Sequence, residues 1–131
     1  RLGVVPEHAA PMSLSEMVPA PGQGCLAVQA RASDGETIEV LSALDHAASR
    51  TALEAERGLM ARLGGGCALP LGAFAEPTAR GVRMVAIALT PDGARFARTE
   101  VDAATPDEVA ALAALDLSAG GADEILGLVR P

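Results

Sequence analysis

The sequence predicts an α+β fold, a small three-stranded antiparallel sheet with helices on one face, and three observations carry that prediction. Strand-like runs at 71–75, 82–89 and 95–101 follow one another closely, separated by Arg80-Gly81 and by Pro91-Asp92-Gly93. Both separators are turn signals, and turns this short join antiparallel neighbours. Helical patterns flank the strands: Ala48, Ala52, Ala55, Leu59 and Leu63 before them, and Thr105-Pro106-Asp107-Glu108 after them. Finally, half of the 131 residues are apolar but only two are aromatic, so the core is built from Ala, Val, Leu and Ile. A chain of that length buries one ordinary core, or one core plus a piece of another.

Residues 1–21 hold prolines at 6, 11, 19 and 21 and read as an extended connector with a turn of helix around 13–17. His8 reads as a solvated loop histidine. Residues 24–30 alternate and carry Cys25, Leu26 and Val28, which predicts a buried strand with Cys25 inside it. Ile38, Leu41 and Leu44, with Glu36 and Glu39 turned outward, predict a short amphipathic helix over 34–44. Asp45 is placed to cap a second helix running to about residue 63, with His46 beside the cap. The charges Arg50, Glu54, Glu56, Arg57 and Arg62 decorate the rest of that helix and read as a solvated face.

Met84, Ala86 and Ala88 alternate with Val85, Ile87 and Leu89, so the middle strand is apolar on both faces. Thr105 is a hydroxyl cap with Pro106 in the first turn and Glu108 three residues on, a strong helix start. Val109, Leu112 and Leu115 are expected to face the sheet. Gly120-Gly121 ends that helix, and 123–129 predicts a last short one.

Seventeen acids oppose ten basic residues, all arginine, for a formal net charge of -7. This balance argues against nonspecific binding to nucleic acid or to an anionic membrane. Two cysteines, 42 residues apart in unlike contexts, make no disulfide framework, and no apolar run approaches the length of a membrane span. No metal site is expected. No leader precedes Arg1, so a cytoplasmic location is the default, and a chain starting on Arg1 suggests a piece of something longer.

The chain is organised around Leu63-Gly64-Gly65-Gly66-Cys67-Ala68-Leu69-Pro70-Leu71-Gly72. Three glycines end the preceding helix and strip side chains from the backbone just before Cys67. The residues alone leave two readings of that thiol: a small buried hydrophobe, or a reactive group displayed on a loop. The loop resembles the cofactor-attachment loop of the porphobilinogen deaminase (hydroxymethylbilane synthase) family, a Gly-Gly-Cys followed by Pro-x-Gly. A second block upstream, Pro19-Ala20-Pro21-Gly22-Gln23-Gly24, resembles the hinge segment of the same family, and Ala55-Glu56-Arg57 matches a further piece of it.

The resemblance implies the rest. Residues 46–131 are similar to the third, C-terminal, cofactor-attachment domain of a three-domain enzyme. Residues 1–45 resemble the end of its second domain, the hinge, and the strand and helix that return to its first. Cys67 then carries a dipyrromethane cofactor as a thioether, with Gly65 and Gly66 beside it and Gln23 and Gly24 as cofactor or substrate contacts. Arg57 is implied to be structural, tying its helix to its neighbours. The family joins four molecules of porphobilinogen head-to-tail, with release of ammonia, into hydroxymethylbilane for heme biosynthesis. Its catalytic aspartate and its carboxylate-binding arginines lie upstream, so no catalytic residue is expected here. The missing N-terminal domains are the implied partners, the full enzyme is expected to be a monomer, and these residues alone are expected to be inactive.

Two other readings compete. One is a stand-alone α+β binding or regulatory module in which Cys67 is merely a loop thiol. The other is a thiol enzyme using the glycine loop's N–H groups as an oxyanion site, for which only His8 and His46 offer a base.

Overall fold

The computed structural model describes residue 3, residues 7–66 and residues 69–127. Cys67 and the far end of the last expected helix lie outside the described residues. The elements run α1 (Gly35–Ser42), α2 (Ala47–Arg62), β1 (Leu71–Thr78), β2 (Gly81–Leu89), β3 (Phe96–Ala103), α3 (Pro106–Ala119) and α4 (Ala122–Gly127). The strands form one antiparallel sheet in the order β1-β2-β3. The predicted fold class is the observed one.

Register explains where the core lies. Ala73 pairs with Ala86, and Ala86 with Thr99, so alternate residues of all three strands share one face. On that face Leu71, Ala73, Ala75, Met84, Ala86 and Ala88 meet Leu59 of α2, Val109 and Leu117 of α3, and Ile125 and Leu126 of α4. The sheet contributes mostly alanines, so the helices approach closely and supply the bulk. Val85, on the opposite face of β2, is only 3% exposed, as expected of a strand apolar on both sides.

Local signals act as their chemistry dictates at α3. Thr105 accepts the Glu108 N–H at 3.2 Å while the Glu108 carboxylate accepts the Thr105 N–H at 3.1 Å, and Pro106 opens the helix. The buried face of α3 differs from the expected one. Val109, Ala110, Ala113 and Leu117 are buried, whereas Leu112 and Leu115 are 43% and 68% exposed. Contact with α2 decides this: a Cβ on Gly58 would sit 3.1 Å from the Ala110 Cβ, so the two helices cross where only small side chains fit.

α2 corrects three more expectations. Its N-cap is His46, whose Nδ1 accepts the Ser49 N–H at 3.3 Å, while Asp45 turns to Arg50 in an ion pair at 2.6 Å. Arg57 is exposed and, among the described residues, makes no hydrogen bond or ion pair, so it ties α2 to none of them. Glu56, expected on a solvated face, is 8% exposed.

The strand expected over 24–30 does not form, and Cys25 is exposed rather than buried. A strand needs a neighbour for its main-chain hydrogen bonds, and none of the three strands runs beside this segment. α1 forms where expected, with the Asp34 carboxylate accepting the Thr37 N–H at 3.1 Å, but it buries no residue and contacts no other helix or strand. Leu26, Val28, Ile38, Val40 and Leu44 are accordingly exposed. Among the described residues, no helix is long and apolar enough to cross a membrane.

The connector packs on the sheet. A turn at Ser13, closed by the Met17 N–H to Ser13 O at 2.9 Å, matches the expected one, and Arg98 donates to Leu14 O at 3.0 Å. Gly72 admits the chain here, because a Cβ at that position would meet Val18 O at 2.8 Å.

Candidate functional site

The glycine-rich loop begins as a helix stop. At the C-terminus of α2, Gly64 adopts φ +83° and donates to Ala61 O at 3.2 Å, while Gly65 donates to Met60 O at 2.9 Å. These two bonds are the pair that closes a helix with a left-handed residue just past its cap. Gly65 is needed for the same stop, since a Cβ there would lie 2.8 Å from Met60 O. Gly66 is different. Its φ is not positive, and among the described residues a Cβ on it would meet no atom within 4 Å. The third glycine is therefore under no packing requirement from the described residues. Past Cys67 and Ala68, the Leu69 N–H returns to Gly66 O at 3.1 Å, and β1 starts two residues later.

β1 is an edge strand, and its outward N–H groups need partners. Pro19 O takes the Ala73 N–H at 2.8 Å, and Glu56 Oε1 takes the Ala75 N–H at 2.9 Å. The other oxygen, Glu56 Oε2, accepts the Gly22 N–H at 2.6 Å. The two sequence blocks that carry the family resemblance thus meet in space: Val18 and Pro19 lie against Gly72 and Ala73, and the following turn hangs on Glu56.

That turn is compact. Gln23 N–H donates to Ala20 O at 3.0 Å and Cys25 N–H to Gly22 O at 3.1 Å, with Gly22 and Gly24 at φ +75° and +80°. Both glycines occupy backbone conformations that other residues reach only at a cost. Burial pushes the Glu56 carboxyl above the ordinary glutamate value, and the Gly22 and Ala75 N–H bonds offset only part of that shift.

An open cleft of about 320 Å³ lies between the turn, α2 and β1, lined by Gln23, Gly24, Cys25, Leu53, Glu56 and Glu76 among others. Among the described residues its charged groups are both carboxylates, and no arginine lines it. Gln23 and Gly24, singled out in the sequence, face this cleft; Gly65 and Gly66 do not line it. His46 caps the far end of α2, about 24 Å from the loop by helix rise. The sequence reading missed Glu56. Its signal was positional: Glu56 lies four residues after Ala52 and three before Leu59, on the border of the apolar stripe, where a carboxylate demands internal partners.

Residues 50–119 match the family profile described as "Porphobilinogen deaminase, C-terminal domain", which is more than half of the chain. This chain belongs to the porphobilinogen deaminase family. The porphobilinogen deaminase of Desulforudis audaxviator is 36% identical over 99% of the chain, which spans 43% of that relative. That of Rubrobacter xylanophilus is 39% identical over 99% of the chain and 42% of the relative. A shorter match, to the protein of Mycobacterium leprae, is 47% identical over 58% of the chain and 24% of the relative. The chain therefore spans roughly two fifths of the length of the first two of these curated relatives.

Proposed function

We propose that these residues form the cofactor-attachment part of a hydroxymethylbilane synthase, with Cys67 holding a dipyrromethane group through a thioether. The observation that carries this reading is Gly66. Of the three glycines before Cys67, it alone has no role in closing α2, and among the described residues no atom would meet a Cβ there. A side-chain-free approach to the sulfur suits a bulky two-ring substituent, so the residues fit the group.

In this reading Cys67 would hold the group through its sulfur, whose thiolate is the soft nucleophilic form of the side chain. When bound, the group supplies the free pyrrole carbon to which porphobilinogen units are joined. Gly66 leaves the attachment unobstructed, and the closed end of α2 anchors one side of it. Gln23 and Gly24 present an amide side chain and a bare backbone toward the cleft as contacts for the group or its substrate.

Residues 46–131 are the third domain in this proposal, and 1–45 bring the hinge and the segment that returns to the first. The isolation of α1 from every other helix and strand supports that division. Porphobilinogen carries carboxylates, whereas the cleft is lined by Glu56 and Glu76 and, among the described residues, by no arginine. Recognition of those carboxylates is thus assigned to residues outside this chain, and the 131 residues alone are expected to form no hydroxymethylbilane.

Intact-mass analysis of the native gene product, followed by mapping of the peptide containing Cys67, tests the proposal. A dipyrromethane adduct on Cys67 supports it. An unmodified Cys67 on a full-length chain overturns it.

A further inference from the structure

We infer that Glu56 is a positioning residue, which seats the turn bearing Gln23 against both flanks of the Cys67 loop. The inference rests on the reading of Gln23 and Cys67 given above.

The geometry is that of a two-way clamp. Glu56 belongs to α2, the element that leads into the glycine loop, and it holds Ala75 of β1, the element that leaves it. Its second oxygen reaches Gly22 at 2.6 Å, one residue before Gln23. Among the described residues, the other main-chain bonds of the turn are internal, and its next attachment to the sheet is Pro19 O on Ala73. Leu53 stands beneath Gly22, where a Cβ would come within 3.2 Å of its Cδ1, so the turn sits flush on α2.

Two acceptor oxygens meet two N–H donors with none left over. The remaining titratable groups lining the cleft are Glu76, which pairs with Arg83 at 3.2 Å, and Cys25. Neither offers Gly22 an acceptor in this arrangement. A glutamine at position 56 has nearly the same shape but only one acceptor oxygen, and it turns an NH2 group toward one of the two N–H groups.

Amide NMR on the full chain tests the clamp. In the wild type the Gly22 and Ala75 amide resonances are expected to shift together in a single titration. Glu56→Gln abolishes that shared titration and speeds Gly22 amide exchange by about tenfold, while Ala113 and Leu117 in α3 keep wild-type protection. In the complete enzyme the variant is expected to carry the Cys67 adduct at wild-type occupancy but to turn over several-fold more slowly. The inference is overturned if Gly22 and Ala75 titrate separately or not at all, which the wild type decides even where the variant fails to fold. It is also overturned if Gly22 exchange or turnover is unchanged in a folded variant. An unmodified Cys67 with a co-titrating Gly22–Ala75 pair overturns the cofactor reading and leaves the clamp standing.

Discussion

Glu56 Oε2 accepts the Gly22 amide at 2.6 Å, joining a helix to a turn 34 positions earlier in the chain. The same carboxylate takes the Ala75 amide, so a single buried side chain serves three segments. A buried acid is tolerated only where its oxygens are bonded, and here both are.

The charge state of Glu56 gives a pH prediction with a defined sign. Its folded-state pKa is raised by burial. Between the unfolded and folded values the native state therefore holds more protons, so stability falls as pH rises through that window. The contribution is fullest below the ordinary glutamate value and is lost above the raised one. Glu16, Asp34, Asp45 and Asp92 are shifted the other way by local hydrogen bonds, and their contributions fall away at lower pH instead. Unfolding free energy measured against pH for wild type and for Glu56→Gln isolates the first effect. The difference between the two curves should slope downward through the mildly acidic range, and a flat difference counts against the assignment.

Gly58 marks the closest approach of α2 and α3. Gly58→Val drives a branched side chain toward the Ala110 Cβ, which a glycine-borne Cβ would already meet at 3.1 Å. Overpacking of this kind is expected to cost about 1–3 kcal/mol. A urea midpoint below that of the wild type, with unchanged slope, is the expected result.

The capping box at α3 is worth testing separately because it is local. Thr105→Ala removes the acceptor of the Glu108 N–H and should lower stability by about 1 kcal/mol. The thermal midpoint should fall while the far-ultraviolet circular dichroism of the native state stays the same.

Gly65 and Gly66 are neighbours with opposite expectations. Gly65→Ala places a Cβ 2.8 Å from Met60 O and should cost about 1 kcal/mol or more. Gly66→Val meets no atom of the described residues within 4 Å at its Cβ and should change stability by less than about 0.5 kcal/mol. In the cofactor reading, however, the Gly66 variant crowds Cys67, and the fraction of chains carrying the adduct should drop. Denaturation and intact mass, measured on both variants, separate helix closure from attachment.

Much of this architecture is carried by local chemistry. Alternating runs separated by Arg80-Gly81 and Pro91-Asp92-Gly93 become a meander, and Thr105, Pro106 and Glu108 start α3 where their hydrogen-bonding capacity requires. Gly64 ends α2 because the stop needs a left-handed residue. Both family-like blocks were likewise visible in the sequence, since each is a short string of residues with special backbone demands.

What local chemistry left open was decided by contacts between elements. Which face of α3 is buried depended on the depth at which Gly58 admits Ala110, a distance no helical period encodes. The segment at 24–30 has the alternation of a strand but no strand beside it, and alternation without a partner forms no ladder. Glu56 looked like one more surface charge until the β1 edge and the Gly22 turn came to rest on its two oxygens. The sequence alone determined the three-stranded meander, the helices that flank it and the glycine stop of α2. The packing of those elements determined which side chains became interior, because burial is a property of neighbours brought together from distant parts of the chain.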